Sequence, residues 1–218
     1  VNFGGKASGN ACVSSAFNQP NAYADLSVKN FTFEEGRMGT LLAHVNYDKV
    51  KNQINLTSTA QDGPASQTIV NGYINPQKND ILLNIGAHGT NLEFLKHFCG
   101  SFMDQINARG YGDLQVIGPL SSPNLQGNMT ASGKVHLAQL NTEYSFDHLH
   151  ASAIPDEIAF NNDTIYDTEK NIGIITGALY HHNLSHLTYD LNIQAKKLLS
   201  YDTKGLNDNS FYGHVFAT

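Results

Sequence analysis

The sequence predicts an all-β fold in which short strands repeat along an elongated, curved or folded-over sheet, with one α-helix near residues 91–107. Only 15% of the residues are charged while 19 are glycine, a balance that favours β-structure over a charged helical bundle. Apolar and polar residues alternate along many short segments. Turn-forming residues separate these segments about every ten residues. We therefore interpret residues 1–218 as a single fragment of a larger β-repeat domain.

Residues 1–90 are expected to form strands joined by tight turns. The first 22 residues have little periodicity, which indicates an edge strand or an incomplete repeat. In Tyr23–Phe33 the apolar positions shift from one face to the other, and this shift predicts a β-bulge near Asn30. Further alternating segments follow, of which the last two should form a hairpin: 43–47, 54–56, 69–74 and 81–85.

The pattern changes once, in Asn91–Asn107. Apolar residues recur there at helical spacing and form a single stripe. Asn91 is suited to an N-cap, and the carboxylate of Glu93 favours the first turn. Gly100 would weaken the helix by about 1 kcal/mol relative to alanine without ending it. We expect a helix that plugs or covers one end of the sheet.

The stretch 110–140 shows the strand pattern most clearly. Leu114 and Val116 alternate with polar residues, the period of two expected for a half-buried strand. The pair Gly118-Pro119 should end this strand, because proline has no N–H to donate to a sheet. Two more short strands are expected after further corners, each opened by a glycine, Gly127 and Gly133.

The most regular alternation lies in Ile172–Ala195. Turns are predicted before it, at 161–163 and at Asp167–Asn171, from their Asn and Asp residues. After it, a loop at 202–210 should lead to a final strand that begins at Phe211. Within the segment, four apolar residues share one face of a strand: Leu187, Tyr189, Leu191 and Ile193.

Composition excludes several classes of partner. The net charge of −6, without a long basic run, argues against nucleic acid, which requires clustered Lys and Arg to neutralise phosphates. The sequence contains neither a signal peptide nor an apolar run long enough to span a bilayer. Because it lacks an initiator methionine, we expect an excised fragment whose targeting sequence lies elsewhere.

Two cysteines, Cys12 and Cys99, do not make a disulfide framework, and Cys99 is expected to be buried and inert.

No catalytic or cofactor site is predicted. His148 and His150 would share a face on a strand, but no cysteine or carboxylate at matching spacing completes a zinc site beside them or beside His181, His182 and His186. The acidic residues of 156–169 are interpreted as turn residues, since the calcium-loop pattern is missing. Motifs for a nucleophile elbow, a dinucleotide or a phosphate loop are also missing from the sequence. We therefore expect a protein that is not an enzyme and carries no metal or cofactor.

The second half of the chain resembles a known family. Four features of this half occur in a fixed order: Asp167 followed by Asn171, Gly177-x-x-x-His181, the strand Leu187–Ala195 and then Phe211-Tyr212-Gly213. This order resembles the C-terminal region of TamB-like translocation and assembly module proteins, of the AsmA/TamB group, in their Bacteroides-like form. The earlier motif Gly112-Asp113-Leu114-x-Val116-x-Gly118-Pro119, continued by Pro123-x-Leu125-x-Gly127, resembles the recurring strand motif of that family. The resemblance covers about half of the chain, from Gly110 onward.

The resemblance implies a periplasmic segment of a protein anchored in the inner membrane. Its partner would be an outer-membrane barrel protein of the assembly-factor type, and its roles would be outer-membrane protein assembly or phospholipid passage between the membranes. The implied fold is a long curved sheet with an apolar inner surface, called a β-taco. Candidate residues for contact with acyl chains, or alternatively for packing in a closed core, are Leu114, Val116, Val135, Leu137, Leu187, Tyr189, Leu191 and Ile193.

Two rival hypotheses come from other classes of protein. A β-solenoid adhesin or glycan-binding domain predicts a ladder of exposed tyrosines, of which the sequence holds ten. A β-helical hydrolase predicts an open cleft with converging carboxylates.

Overall fold

The computed structural model describes residues 2–14, 21–99, 102–182, 185–202 and 214–217, and its fold is all-β. Twelve strands form one antiparallel sheet in which each strand pairs with the next strand in the chain. These strands are β1 (Phe3–Ser14), β2 (Asn21–Phe33), β3 (Gly36–Asp48), β4 (Gln53–Gln61), β5 (Gln67–Asn75), β6 (Asp80–Asn91), β7 (Met103–Pro119), β8 (Asn124–Leu137), β9 (Thr142–Ile154), β10 (Glu157–Tyr166), β11 (Ile172–His182) and β12 (Ser185–Ala195). Two further strands, β13 (Leu198–Asp202) and β14 (His214–Ala217), pair in a separate small sheet, and a helix, α1 (Leu95–Cys99), lies between β6 and β7.

The large sheet is open. Its edges are β1 and β12, which do not pair with each other, so the described strands do not close into a barrel. The expectation of an edge strand near the N-terminus is confirmed by β1. The described strands form an open antiparallel meander, and the curved or folded-over shape stays a prediction.

The register of the strands separates an apolar face from a polar face. Leu83 of β6 pairs with Val116 of β7, which pairs with Leu125 of β8. Paired residues of adjacent strands lie on the same side of a sheet, and successive residues of one strand lie on opposite sides. We call the face that carries Val116 the apolar face. The opposite face, which carries the preceding residue Gln115, is the polar face.

The predicted bulge near Asn30 is confirmed. The register between β2 and β3 shifts between Val28 and Phe31, and Asn30 has a φ of 52°. The shift keeps apolar residues on one face on both sides of the extra residue.

The turn predicted at 161–163 is wrong, because those residues lie inside β10. The register between β10 and β11 shifts there, and Asn162 has a φ of 57°, so the polar run forms a bulge within a continuous strand. The turn predicted at Asp167–Asn171 is confirmed. Its backbone closes with a hydrogen bond from the Asp167 N–H to the Asn171 carbonyl at 3.1 Å.

Gly118-Pro119 ends β7 as predicted, but Gly127 and Gly133 do not open new strands. Both lie inside β8, with φ values of 131° and 147°. A Cβ at Gly127 would come within 2.3 Å of the Asp113 carbonyl oxygen on β7. The glycine therefore changes the direction of the strand without ending it, because its neighbours still have N–H groups to pair.

The helix predicted over 91–107 is wrong in extent. Among the described residues of this range, only Leu95–Cys99 is helical, and Met103 pairs with Leu137 as the first residue of β7. Met103 and Ile106 fit a helical stripe, and they also share one face of β7 because the register shifts between Met103 and Gln105. Sheet hydrogen bonds decide the outcome from residue 103 onward. The Asn91 side chain does not cap the helix. Its Oδ1 accepts the N–H of Glu93 at 3.0 Å in the turn that precedes α1.

Candidate functional site

The middle of the apolar face forms a continuous uncovered surface, which we call the open stretch. One row of paired residues crosses β3 to β8 through Val45, Leu56, Gly72, Leu83, Val116 and Leu125, and a second row runs beside it through Val70, Ile85 and Leu114. The side chains of these rows are half-buried and belong to neither of the two buried apolar clusters. Five strand spacings of about 4.8 Å give the first row a length of about 24 Å, perpendicular to the strands.

One end of the apolar face is covered by a segment that we call the plug, Leu92–Cys99 together with Phe102. The side chains of Phe94, Leu95 and Cys99 pack against a buried cluster formed by Leu92, Ile106 and Ala108. The Phe94 ring lies 5.3 Å from the Phe33 ring of β2. The Phe102 ring stacks 4.9 Å from the Tyr189 ring of β12.

A second cover, which we call the clamp, is β13 with its bonds to the sheet. Leu198 and Leu199 are 2% and 3% exposed, and Leu198 packs with Leu137, Tyr144 and Ile165 of the large sheet. The Tyr144 hydroxyl donates to the Leu199 carbonyl at 2.7 Å. The clamp therefore rests on β8, β9 and β10 and is held by both apolar and polar contacts.

The structure divides the predicted apolar residues into three groups. Leu114 and Val116 are half-buried in the open stretch. Val135 and Leu137 lie beneath the covers, where Leu137 is 7% exposed. On β12, Leu191 is half-buried while Tyr189 and Ile193 are exposed, and the side chain of Leu187 lies outside the described residues. Val116 pairs with Leu83 and with Leu125. Sequence reasoning missed these two partners, because pairing register is not visible in local alternation.

The polar face carries hydrogen-bonded side chains on the same strands. The amide of Gln115 donates to Asn84 Oδ1 at 2.6 Å and accepts at Oε1 from Gln126 at 2.8 Å. These three residues directly neighbour Leu83, Val116 and Leu125 in sequence but lie on the other side of the sheet. At these three positions the two faces of β6 to β8 therefore differ in chemistry, with apolar side chains on one side of the sheet and hydrogen-bonded amides on the other.

Both arginines of the chain meet one aspartate at an end of the sheet. Arg109 Nη2 lies 3.1 Å from Asp62 Oδ2, and Arg37 Nε lies 3.5 Å from Asp62 Oδ1. A cavity of about 440 Å³ beside them is lined by two carboxylates, Glu35 and Glu93. A hydrolytic general acid requires a carboxyl group whose pKa is raised by burial, and both of these side chains are exposed. The cavity therefore gives no support to the hydrolase hypothesis.

Several of the described histidines lie beside carboxylates, but they do not converge on a metal site. His148 Nδ1 lies 2.9 Å from Asp147 Oδ1, and His150 Nδ1 lies 2.9 Å from Asp163 Oδ1. Among the described residues, no three His, Cys, Asp or Glu side chains gather closely enough to hold a metal ion. A hydrogen bond from His136 lowers the pKa of Asp104, so this pair acts as a local charge contact between β7 and β8.

His181 is the most buried titratable ring. Its side chain is 1% exposed, and neither ring nitrogen has a hydrogen-bond partner among the described residues. Burial lowers the pKa of this imidazole, although the carboxylate of Asp156, 3.8 Å from Nδ1, acts in the opposite direction. The ring is therefore held neutral, which disfavours a role in binding anions.

The tyrosines do not form a ladder. Of the described tyrosines, Tyr23, Tyr111, Tyr180 and Tyr189 are exposed. They lie on β2, β7, β11 and β12, of which only β11 and β12 are adjacent. On that pair of strands Tyr189 pairs with Leu179, while Tyr180 pairs with Thr188. The rings of Tyr180 and Tyr189 therefore point to opposite sides of the sheet. This arrangement does not favour the stacking surface that a glycan-binding domain requires.

The two cysteines are free and differ in environment. Cys12 is exposed on β1, while Cys99 is half-buried in the plug. Burial raises the pKa of the Cys99 thiol, which slows its reaction at neutral pH.

Comparisons with known proteins give no family. No protein-family model, no curated protein and no solved structure matches the chain. Within the described residues, no helix has the length and apolar character needed to cross a membrane. The resemblance to the TamB-like family therefore stays a prediction.

Proposed function

We propose that this chain is a non-enzymatic, periplasmic segment of a TamB-like envelope protein, in which the open stretch contacts phospholipid acyl chains or the apolar side of a client protein. The observation that carries this proposal is a one-sided apolar surface that continues across six strands, β3 to β8. Each methylene moved from water onto such a surface contributes about 0.8 kcal/mol. The outer-membrane barrel partner and the inner-membrane anchor come from the family resemblance alone.

The plug supports the folded-over shape that the family implies. The backbone of Phe94 lies so close to β3 that a Cβ on Gly36 would come within 2.3 Å of the Phe94 nitrogen. At the other end of the segment, α1 and β12 have Cα atoms within 8 Å of each other. Five peptide units, mostly helical, span about 10 Å, so the proposed folded-over sheet would hold β3 within about 25 Å of β12. In a flat sheet the nine intervening spacings would separate these strands by about 43 Å.

Glycines on the apolar face also support curvature. Gly72, Gly112, Gly127, Gly133 and Gly177 all lie within strands and have φ values between 119° and 157°. At each of them a Cβ would come within 2.3 Å of a carbonyl oxygen on the adjacent strand. Glycine kinks of this kind are how sheets bend without losing their hydrogen bonds. A bent sheet with its apolar face inside is the trough that an acyl chain needs.

Native mass spectrometry tests the proposal directly. The chain is incubated with vesicles of phosphatidylethanolamine and phosphatidylglycerol, and the bound mass is compared among three proteins. Val116→Asp places a charge on the open stretch, while Gln115→Asp places the same charge on the polar face of the same strand. We expect bound phospholipid with the unchanged protein and with Gln115→Asp, and its loss with Val116→Asp, with folding checked by circular dichroism.

Two results would contradict contact between the open stretch and phospholipid. A clean protein mass after incubation would show that the open stretch does not hold phospholipid. Equal binding by the two folded variants would place the phospholipid elsewhere on the molecule.

A further inference from the structure

We propose that the plug is a displaceable occupant of the apolar face, and that an acyl chain bound to the open stretch displaces it to reach the covered end. This inference rests on the proposed function, since it concerns the same surface. The plug and the open stretch lie on one continuous face: Ile106 and Ala108 beneath the plug follow the same alternation on β7 as Leu114 and Val116.

The plug is weakly built by itself. Its helix has five residues and no buried side chain. A helix of this length is not stable in isolation, so it depends on the packing of its apolar side chains. Lys96 and His97 on the same turn are exposed to solvent.

The anchors of the plug are mostly apolar contacts that another apolar chain can replace. Phe94 meets Phe33, Phe102 meets Tyr189, and Leu95 and Cys99 lie on the face itself. Two polar contacts hold the middle of the plug: His97 Nε2 lies 3.5 Å from Glu34 Oε2, and the Arg37 N–H donates to Glu93 Oε2 at 3.3 Å. Its two ends are fixed by backbone bonds at 3.1 Å, from the Leu92 N–H to the Ala108 carbonyl and from the Ala138 N–H to the Phe102 carbonyl. An acyl chain on Ile106 and Ala108 would restore the apolar burial lost when the middle of the plug lifts away, while the backbone bonds at its two ends stay in place.

The clamp provides the contrast within the same molecule. Asp167 Oδ2 accepts the Leu199 N–H at 2.8 Å, and Tyr144 donates to the Leu199 carbonyl at 2.7 Å. An acyl chain cannot replace these buried hydrogen bonds, and breaking them leaves polar groups unpaired. Of the two covers on the apolar face, only the plug is suited to exchange.

Cys99 and Cys12 report plug opening in the unmodified protein. We would measure labelling of both thiols by N-ethylmaleimide with and without palmitate, by peptide mass spectrometry, and palmitate binding by native mass spectrometry. Palmitate is expected to speed labelling of Cys99 by at least about tenfold while labelling of Cys12 stays constant. Cys12 serves as the control because it is exposed on β1, away from the plug.

Two phenylalanine variants provide a matched pair. Phe94→Ala removes the contact with Phe33 and is expected to speed Cys99 labelling without palmitate and to tighten palmitate binding. Phe98→Ala removes a ring that contacts His97 of the same helix and packs on neither buried cluster, and is expected to behave like the unchanged protein.

The outcomes separate this inference from the proposed function. Palmitate binding without a change in Cys99 labelling would overturn the displacement of the plug while the proposed function stands. Equal labelling of Cys99 in the Phe94→Ala and Phe98→Ala variants would overturn it as well. If palmitate does not bind at all, acyl-chain binding by the open stretch fails and the plug inference falls with it.

Discussion

Asp167 and Leu199 join two parts of the fold that are 32 residues apart: Oδ2 of the aspartate accepts the leucine N–H at 2.8 Å. The other carboxylate oxygen accepts the N–H groups of Glu169 and Asn171, both at 2.9 Å. Burial alone would raise the pKa of Asp167, but the hydrogen bond from the Asn171 side-chain amide at 2.8 Å, together with these backbone bonds, holds the pKa below its ordinary value, so the carboxylate stays charged. One side chain therefore fixes the turn between β10 and β11 and ties the clamp to it.

Replacing Asp167 with alanine should destabilise the protein strongly. Three backbone N–H groups would lose their acceptor, and a buried unpaired donor costs about 1–3 kcal/mol. We expect the free energy of unfolding in urea to fall by about 2–3 kcal/mol. Asp113→Ala, on the exposed polar face of β7, should change it by less than about 0.5 kcal/mol. Equal effects of the two substitutions would show that Asp167 does not hold the clamp.

A glycine on the apolar face should tolerate a side chain less well than a glycine in a loop. Gly127 and Gly63 both have positive φ, at 131° and 104°. A Cβ at Gly127 would meet the Asp113 carbonyl oxygen, while at Gly63 nothing lies within 4 Å. Backbone strain alone predicts about 1–3 kcal/mol for each alanine variant, and Gly127→Ala adds a steric clash. Calorimetry should therefore show a clearly lower Tm for Gly127→Ala than for Gly63→Ala. Equal Tm values of the two variants would contradict the close approach of β7 and β8.

The sequence predicts individual strands better than it predicts their partners. Alternation places Leu114 and Val116 on one face, and the phase shift at Asn30 reveals its bulge, because both signals are local. The pairing of Val116 with Leu83 depends on residues more than 30 positions apart, so local patterns do not contain it. The helix over 91–107 is overpredicted because a bulge after Met103 lets residues at helical spacing share one face of a strand, and such a bulge is set by the sheet partners of Met103.

Stability should depend on pH through His181. Its pKa in the folded protein lies below the ordinary value of 6.5, because burial disfavours the charged ring. The unfolded chain therefore binds a proton more readily, and the free energy of unfolding should be highest above about pH 6.5 and decrease as pH falls below that value. His181→Leu should reduce this dependence, while His88→Leu on the exposed polar face serves as a control. An unchanged pH profile in His181→Leu would contradict a neutral buried ring.

A distance measurement tests the bending of the sheet. Spin labels at Thr40 of β3 and Asn192 of β12 occupy two exposed positions on the polar face. A flat sheet predicts a separation of at least about 43 Å between these strands. Because the plug contacts both β3 and β12, we predict a clearly shorter distance between the two spin labels by pulsed electron paramagnetic resonance. A distance near the flat value would contradict the folded-over form.

The central claim is that one face of β6 to β8 contacts lipid and the other does not. Photo-crosslinking tests it most directly, with a benzophenone amino acid introduced at one position at a time in the presence of phospholipid vesicles. We predict lipid adducts at Leu83, Val116 and Leu125, and none at their neighbours Asn84, Gln115 and Gln126, which lie on the opposite face. Adducts of equal yield at both sets of positions, or at neither, would contradict the account.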